Sequence, residues 1–226
     1  MNASCKSVPQ DLWPPTFDAA IFDFDDTLAD TAHIWYEVDR IFLKRRNLPY
    51  PKGYGEQLAA LGFAQGAQYT IDLFGLDETV QDICDEWNDI GREMYRQEVT
   101  LRKGAAAYIE ALCSTGIHCA LATTNDQSVL TSMQSCKPHD LFETCVYGAE
   151  VNKGKDEPDI YLEAAHRLGV GPDACIVFED ILIAVRTAQS IGMRTCAVSS
   201  SDPRQPTAEL QSQADYWLGD WRDIPI

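Results

Sequence analysis

Ile21-Phe22-Asp23-Phe24-Asp25-Asp26-Thr27-Leu28 is the stretch on which the reading of this chain turns. The apolar run Ala19-Ala20-Ile21-Phe22 passes directly into three carboxylates. In an extended chain Asp23 and Asp25, two residues apart, lie on the same side. Like charges repel and burial penalises both, so such a pair at a strand's exit needs a neutralising partner. A Mg²⁺ ion, which prefers carboxylate oxygens, would supply one. Open α/β sheets also bind ligands beyond the carboxyl ends of their strands. Taken alone, the same acids also fit a solvated turn.

Outward from this stretch, further apolar runs predict buried strands at Ile117–Ala122, Thr144–Tyr147, Cys175–Phe178, Thr195–Val198 and Asp215–Leu218. Most lack strict alternation, as strands covered on both faces do. Helical stripes separate them at Ala105–Cys113, around Ile160–Leu168, and at Ile181–Ile191. Strands alternating with helices predict a parallel α/β sheet. The interval from Thr31 to Val99 breaks the alternation. It reads as helical, with Ile34, Val38, Ile41 and Phe42 on one face. Val80, Ile83, Cys84, Trp87, Ile90 and Met94 form a longer face, with Asp77 as the expected N-cap. The stretch from Gly53 to Gly66 is expected to be loop. We read the interval as an inserted domain with linkers near Asp30 and Thr100; helices packed on the core without independent motion remain the alternative.

Three more segments carry polar groups where chemistry would need them. Ala120-Leu121-Ala122 ends in Thr123-Thr124-Asn125, which offers a hydroxyl and amides to an anion, or simply a helix cap. Lys155, before a helix, can neutralise phosphate oxygens, or belong to a solvated charged loop. Ile176-Val177-Phe178 ends in Glu179-Asp180, where Asp180 can complete a metal site and Glu179 support it, or both can sit in a surface turn. The cations Lys44, Arg45, Arg46, Arg92 and Arg96 in the interval from Thr31 to Val99 read as solvated faces.

The composition narrows the partners. Among 226 residues the formal net charge is -17. Such a surface disfavours nucleic acid and anionic lipid, whose binding leans on basic patches. A phosphate site in this chain must therefore be locally positive. The 8 cysteines form no C-x-x-C pair and the 4 histidines are scattered, so zinc is not expected. Cysteines within apolar runs read as buried free thiols of a reducing compartment. The first ten residues carry no apolar stretch, and no run approaches a membrane span. A cytoplasmic protein without membrane or nucleic-acid partners is the expectation; oligomeric state is unreadable.

Acid pair, threonine, lysine and acid pair occur in order, each at a strand's exit or a helix's entrance. In this the chain resembles the haloacid dehalogenase superfamily, in the branch with a helical cap after the first motif, which includes phosphoglycolate phosphatases and β-phosphoglucomutases. The likeness runs from Phe17 onward. It implies an α/β fold: a Rossmann-like parallel sheet core flanked by helices (residues 1–30 and 100–226), with an inserted α-helical cap domain (31–99). By that likeness Asp23 is the nucleophile, Asp25 the general acid/base, Thr123 the phosphate-binding hydroxyl, Lys155 the motif lysine and Asp180 the metal-ligating acid. Asp25 would join the metal set of Asp23, Asp180 and Glu179 through its backbone carbonyl. Thr124 and Asn125 are expected beside Thr123 in the phosphate site. The chain departs from many relatives at Ile181 and Ala184, where serine and glycine are common, and at Lys103, where proline is.

The implied activity is Mg²⁺-dependent hydrolysis of a small phosphorylated metabolite, a sugar phosphate or a phosphoglycolate-like ester, through an aspartyl-phosphate. A phosphosugar mutase is the first alternative. Mutases of this branch usually read D-x-D-G and place a histidine in the cap; here Asp26 stands at the glycine and Trp35 aligns with the histidine. A phosphorylatable receiver-like switch is the second alternative. The position of the D-x-D and the long helical insertion count against it.

Overall fold

The computed structural model describes residues 12–151, 153–202 and 205–226. Most of the proline-containing lead-in, Cys5 and the stretch expected to lack a signal peptide lie outside the described residues. Six strands form one parallel sheet: β1 (Ala19–Phe22), β2 (His118–Thr123), β3 (Thr144–Tyr147), β4 (Cys175–Glu179), β5 (Arg194–Val198) and β6 (Tyr216–Leu218). Their order is β3-β2-β1-β4-β5-β6. It runs outward from β1 in both directions, so the winding reverses between β1 and β4. A crevice beyond the carboxyl ends of these strands is where such sheets take ligands.

The apolar runs form strands because both faces are covered. Successive residues point to opposite sides. Phe22 and Phe178, stacked at 4.7 Å between ring centres, face Tyr108 and Trp221. Ile21, Ala120 and Val177 face the opposite layer, packed with Ile160, Tyr161 and Ala164. The small residues on that face let helix and sheet approach closely.

Between β1 and β2 come α1 (Ala32–Arg45), α2 (Tyr54–Ala60), α3 (Phe63–Phe74) and α4 (Val80–Glu98), then α5 (Ala105–Ser114). After β2 follow α6 (Gln127–Leu130), α7 (Pro138–Leu141), α8 (Gly148–Val151), α9 (Asp159–Leu168), α10 (Leu182–Ser190) and α11 (Thr207–Gln213). In α1, Ile34, Val38 and Phe42 are buried, and in α4, Ile83, Cys84, Trp87 and Ile90. Two expectations need correction. The N-cap of α4 is Thr79, not Asp77: its hydroxyl accepts the Asp82 amide at 3.1 Å while the Asp82 carboxylate accepts the Thr79 amide at 3.0 Å. The stretch Gly53–Gly66 is not loop but holds α2 and the start of α3. Gly62 and Gly66 serve close packing, since a Cβ would stand 3.3 Å from the Gly154 backbone and 3.1 Å from Leu58.

The two chain crossings between sheet and helices lie side by side. Ala29 bridges Leu101, the Arg102 amide donates to the Leu28 carbonyl at 2.7 Å, and Arg102 Nε donates to Asp30 at 2.6 Å. On the far side, Ser132 and Ser135 hydroxyls donate to the Arg92 and Val99 carbonyls at 3.1 and 2.9 Å. Among the described residues no helix is long and apolar enough to cross a membrane.

Gly104, just past the return crossing, opens α5 at φ +95°, and a Cβ there would stand 3.0 Å from the backbone of Trp221 and Arg222. Left-handed backbone and close approach act together. Gly104→Ala is expected to lose about 2 kcal/mol or more of stability, read as a lower urea midpoint at unchanged slope.

Candidate active site

Asp23 continues the β1 ladder by donating its amide to the Phe178 carbonyl at 3.0 Å. This fixes its carboxylate in the crevice between β1 and β4, where it is buried. Lys155, equally buried, donates from Nζ to Asp23 Oδ1 and to Glu179 Oε1. Glu179 Oε1 also accepts the Tyr161 hydroxyl at 2.7 Å, and its Oε2 accepts the Asp180 amide at 3.2 Å. One oxygen each of Asp23, Glu179 and Asp180 lies within 4.8 Å of the others. The sheet thus brings four of the predicted residues together.

The charges of this group do not balance. Burial pushes the Asp23 carboxyl well above the ordinary carboxylate range, against the pull of Lys155 and with the help of Glu179 and Asp25. Burial does the same to Asp180, reinforced by Asp23, Glu179 and Asp26. Burial opposes the charge on Lys155, but Asp23 and Glu179 outweigh it and hold the ammonium above its ordinary range. A buried set of oxygen donors with excess negative charge fits a hard divalent cation, and without histidine or cysteine it does not fit a soft one.

The Asp25 carboxylate stands apart from this group. Its Oδ1 accepts the Thr31 hydroxyl at 2.7 Å, the Trp35 indole N–H at 3.0 Å and the Tyr95 hydroxyl; its Oδ2 accepts the Asn125 amide at 3.1 Å. Burial first, then Asp25, raises Tyr95 well above the ordinary phenol range, so its hydroxyl keeps its proton and donates. Any share of Asp25 in holding a metal would fall to its main-chain carbonyl.

The residues after β2 divide. Thr124 and Asn125 line the cavity above Asp23. Thr123 is fully buried, and its hydroxyl accepts the Asn125 amide at 3.1 Å. That amide is therefore not free for an anion, and the Asn125 side chain is turned to Asp25 and Tyr95. The cap of α6 is Asp126, whose carboxylate accepts the Ser128 amide at 2.8 Å.

Asp26 is buried at φ +54°. Its carboxylate accepts the amides of Thr31 and Ala32 at 2.8 and 2.9 Å, the Ser200 hydroxyl at 2.7 Å and the Asp202 amide at 3.1 Å. It braces the first motif against the chain after β5. Sequence reading missed this role, and missed Tyr95, Thr31 and Tyr161. Tyr95 and Tyr161 sit on apolar helix faces, where nothing distinguishes them from core. Arg45, Arg46, Arg92 and Arg96 pair with Glu86, Glu78, Asp89 and Glu93, and Lys44 is exposed; none lines the cavity.

A family model of haloacid dehalogenase-like hydrolases matches residues 20–198, and the chain belongs to that family. A Drosophila melanogaster "Probable pseudouridine-5'-phosphatase" is 30% identical over 210 residues, covering 87% of this chain and 90% of that protein. A Thermotoga maritima "Phosphorylated carbohydrates phosphatase" is 25% identical over 177 residues, covering 78% and 82%. The crystal structure of CbbY from Rhodobacter sphaeroides in complex with phosphate has the same fold: TM-score 0.78, 22% identity, 93% of this chain and 97% of that one.

In metal-free buffer the raised Asp180 carboxyl ties stability to pH. The native state favours its neutral form, so its contribution is present below the unfolded value of about 4 and is lost as pH rises towards the folded one. Asp180→Asn lacks this loss. Chemical denaturation in EDTA should show the variant gaining stability relative to the parent as pH rises above about 4; a constant difference would contradict it.

Proposed function

We propose that the protein is a Mg²⁺-dependent phosphatase that hydrolyses a small phosphate monoester through Asp23. The observation that carries this reading is the buried Asp23 carboxylate at the winding reversal, held by Lys155 beside Glu179 and Asp180. The relatives named as phosphatases support it.

Asp23 attacks phosphorus in line, its oxygen forming the new bond as the bond to the leaving oxygen breaks. Asp25, carrying the proton, gives it to that oxygen, and the alcohol departs. Asp25 then takes a proton from the water that attacks the aspartyl-phosphate and frees Asp23. Lys155, with Thr124, holds the negative phosphoryl oxygens, and Glu179 and Tyr161 hold Lys155 in place. Asp23, Asp180 and Glu179, with the Asp25 carbonyl, would hold Mg²⁺, which when bound screens the phosphate's charge from Asp23. Helices α1–α4, in residues 31–99, serve as a cap that excludes bulk water from the crevice formed by 1–30 and 100–226. A cytoplasmic setting belongs to this reading, supported by the buried free thiols Cys84, Cys119, Cys145, Cys175 and Cys196.

Hydrolysis is favoured over phosphosugar transfer because Asp26 and Trp35 are both engaged: Asp26 braces the chain after β5, and Trp35 donates to Asp25. Incubation with a sugar 1-phosphate separates the two, since hydrolysis frees phosphate and a mutase yields the 6-phosphate isomer.

Asp23→Asn is expected to lower phosphate release from a metabolite panel with Mg²⁺ by about 10⁴-fold or more without lowering Tm in EDTA. Parent-level turnover by the homogeneous variant would refute the assignment.

A further inference from the structure

The cavity above Asp23 has a volume of about 170 Å³, and its cap wall is aromatic. Trp35 donates to Asp25 at 3.0 Å, so the wall begins at the reaction centre. Phe63 packs edge-on to Trp35 at 5.5 Å and 82°, and Trp87 edge-on to Phe63 at 5.6 Å and 83°. The three rings lead from Asp25 into the cap. Trp87 lines the cavity and is 4% exposed, yet its indole N–H has no hydrogen-bond partner among the described residues. A buried donor without an acceptor is costly, and a ligand oxygen or nitrogen would satisfy it. Gly62 and Gly66 line the same wall, where a Cβ would stand 3.3 Å from the Lys153 and Gly154 backbone and 3.1 Å from Leu58. The wall is thus kept thin beside the rings.

The charge of the lining points the same way. Among the described lining residues Lys155 is the only cation, and it already faces Asp23 and Glu179. Asp39, buried, adds a carboxylate on the cap side. A second phosphate or a carboxylate on the leaving group would meet carboxylates, not a countercharge. A polyol's hydroxyls gain nothing from the faces of indole and phenyl rings, and only its C–H groups can rest there. A flat, uncharged heteroaromatic ring meets these features: faces and edges for the three rings, and an acceptor for the Trp87 N–H.

We propose, on the premise of the phosphatase reading above, that the substrate is a monophosphate whose leaving alcohol carries an uncharged heteroaromatic ring, as in a nucleoside 5'-monophosphate. The ring lies against Trp35, Phe63 and Trp87, and the single phosphate reaches Asp23.

Two measurements on the full chain test this. In the first, phosphate release with Mg²⁺ is compared for uridine, cytidine and inosine 5'-monophosphates and flavin mononucleotide against ribose 5-phosphate, glucose 6-phosphate and 2-phosphoglycolate. At least one ring-bearing ester should exceed ribose 5-phosphate in kcat/KM by about tenfold or more, the scale of base–aromatic stacking. Trp87→Phe, which keeps a ring and removes the N–H, should shrink that ratio several-fold through KM. In the second, the same ring-bearing ester should quench the tryptophan fluorescence of Asp23→Asn at concentrations where ribose 5-phosphate does not. Ribose or hexose phosphates turned over as well as, or better than, every ring-bearing ester would overturn the substrate class and leave the phosphatase standing. Phosphate release from no ester at all would overturn the phosphatase reading, whatever the fluorescence shows.

Discussion

Three carboxylates and one ammonium share a water-poor space between β1 and β4, and most of the chemistry follows from that imbalance. Lys155 neutralises one charge and is drawn towards two, Asp23 and Glu179. Asp180 is left with a hydroxyl contact from Thr27 at 3.5 Å and the repulsion of its neighbours. A stable core would not collect charge this way unless something arrives to complete it. The sheet makes the collection possible, because backbone ladders fix Asp23 and Glu179 whether or not their side chains repel. Phe22 and Phe178 of the same two strands pack with Tyr108 and Trp221 in an aromatic layer.

Asp25 faces a different constraint. Its four donors come from the crossing at Thr31, from α1 (Trp35), from α4 (Tyr95) and from the chain after β2 (Asn125). Helices and sheet therefore meet at one carboxylate. A rigid shift of α1 and α4 against the sheet would have to break or exchange some of these bonds, so the placement of the helical insertion and the reach of the Asp25 carboxylate are mechanically linked. The indole that helps hold Asp25 is also the first ring of the cavity wall.

The strands were legible because doubly covered parallel strands must be continuous apolar runs, and β1 to β6 fall where Ala19–Phe22, Ile117–Ala122 and their counterparts predict, within a residue or two. The helical insertion was legible as a break in alternation, with Ile34, Val38 and Phe42 marking α1. Less of its interior could be read. Gly53–Gly66 has the composition of a loop, but in a tightly packed helix pair small residues carry the same signature. At the site, Asp23, Glu179 and Asp180 stood out as charge at strand exits, and Lys155 as charge before a helix. Tyr95 and Tyr161 did not, since a tyrosine on an apolar helix stripe discloses its hydroxyl only once its partner, tens of residues away, is placed. The main-chain amides of Thr124 and Asn125 were read as offered to an anion, but sequence order does not disclose that the Asn125 amide donates to the Thr123 hydroxyl.

Asp26 has a consequence for how such chains diverge. Its backbone is left-handed, a conformation that glycine adopts without strain. Its side chain gathers donors from two distant segments. A glycine there would relax the backbone but strand Ser200 and the amides of Thr31, Ala32 and Asp202 without an acceptor. An aspartate grafted onto a chain without those donors would be a buried, uncompensated charge. Either single step descends before it recovers, so the turn and the serine segment form one heritable unit, separated from the glycine form by an epistatic valley.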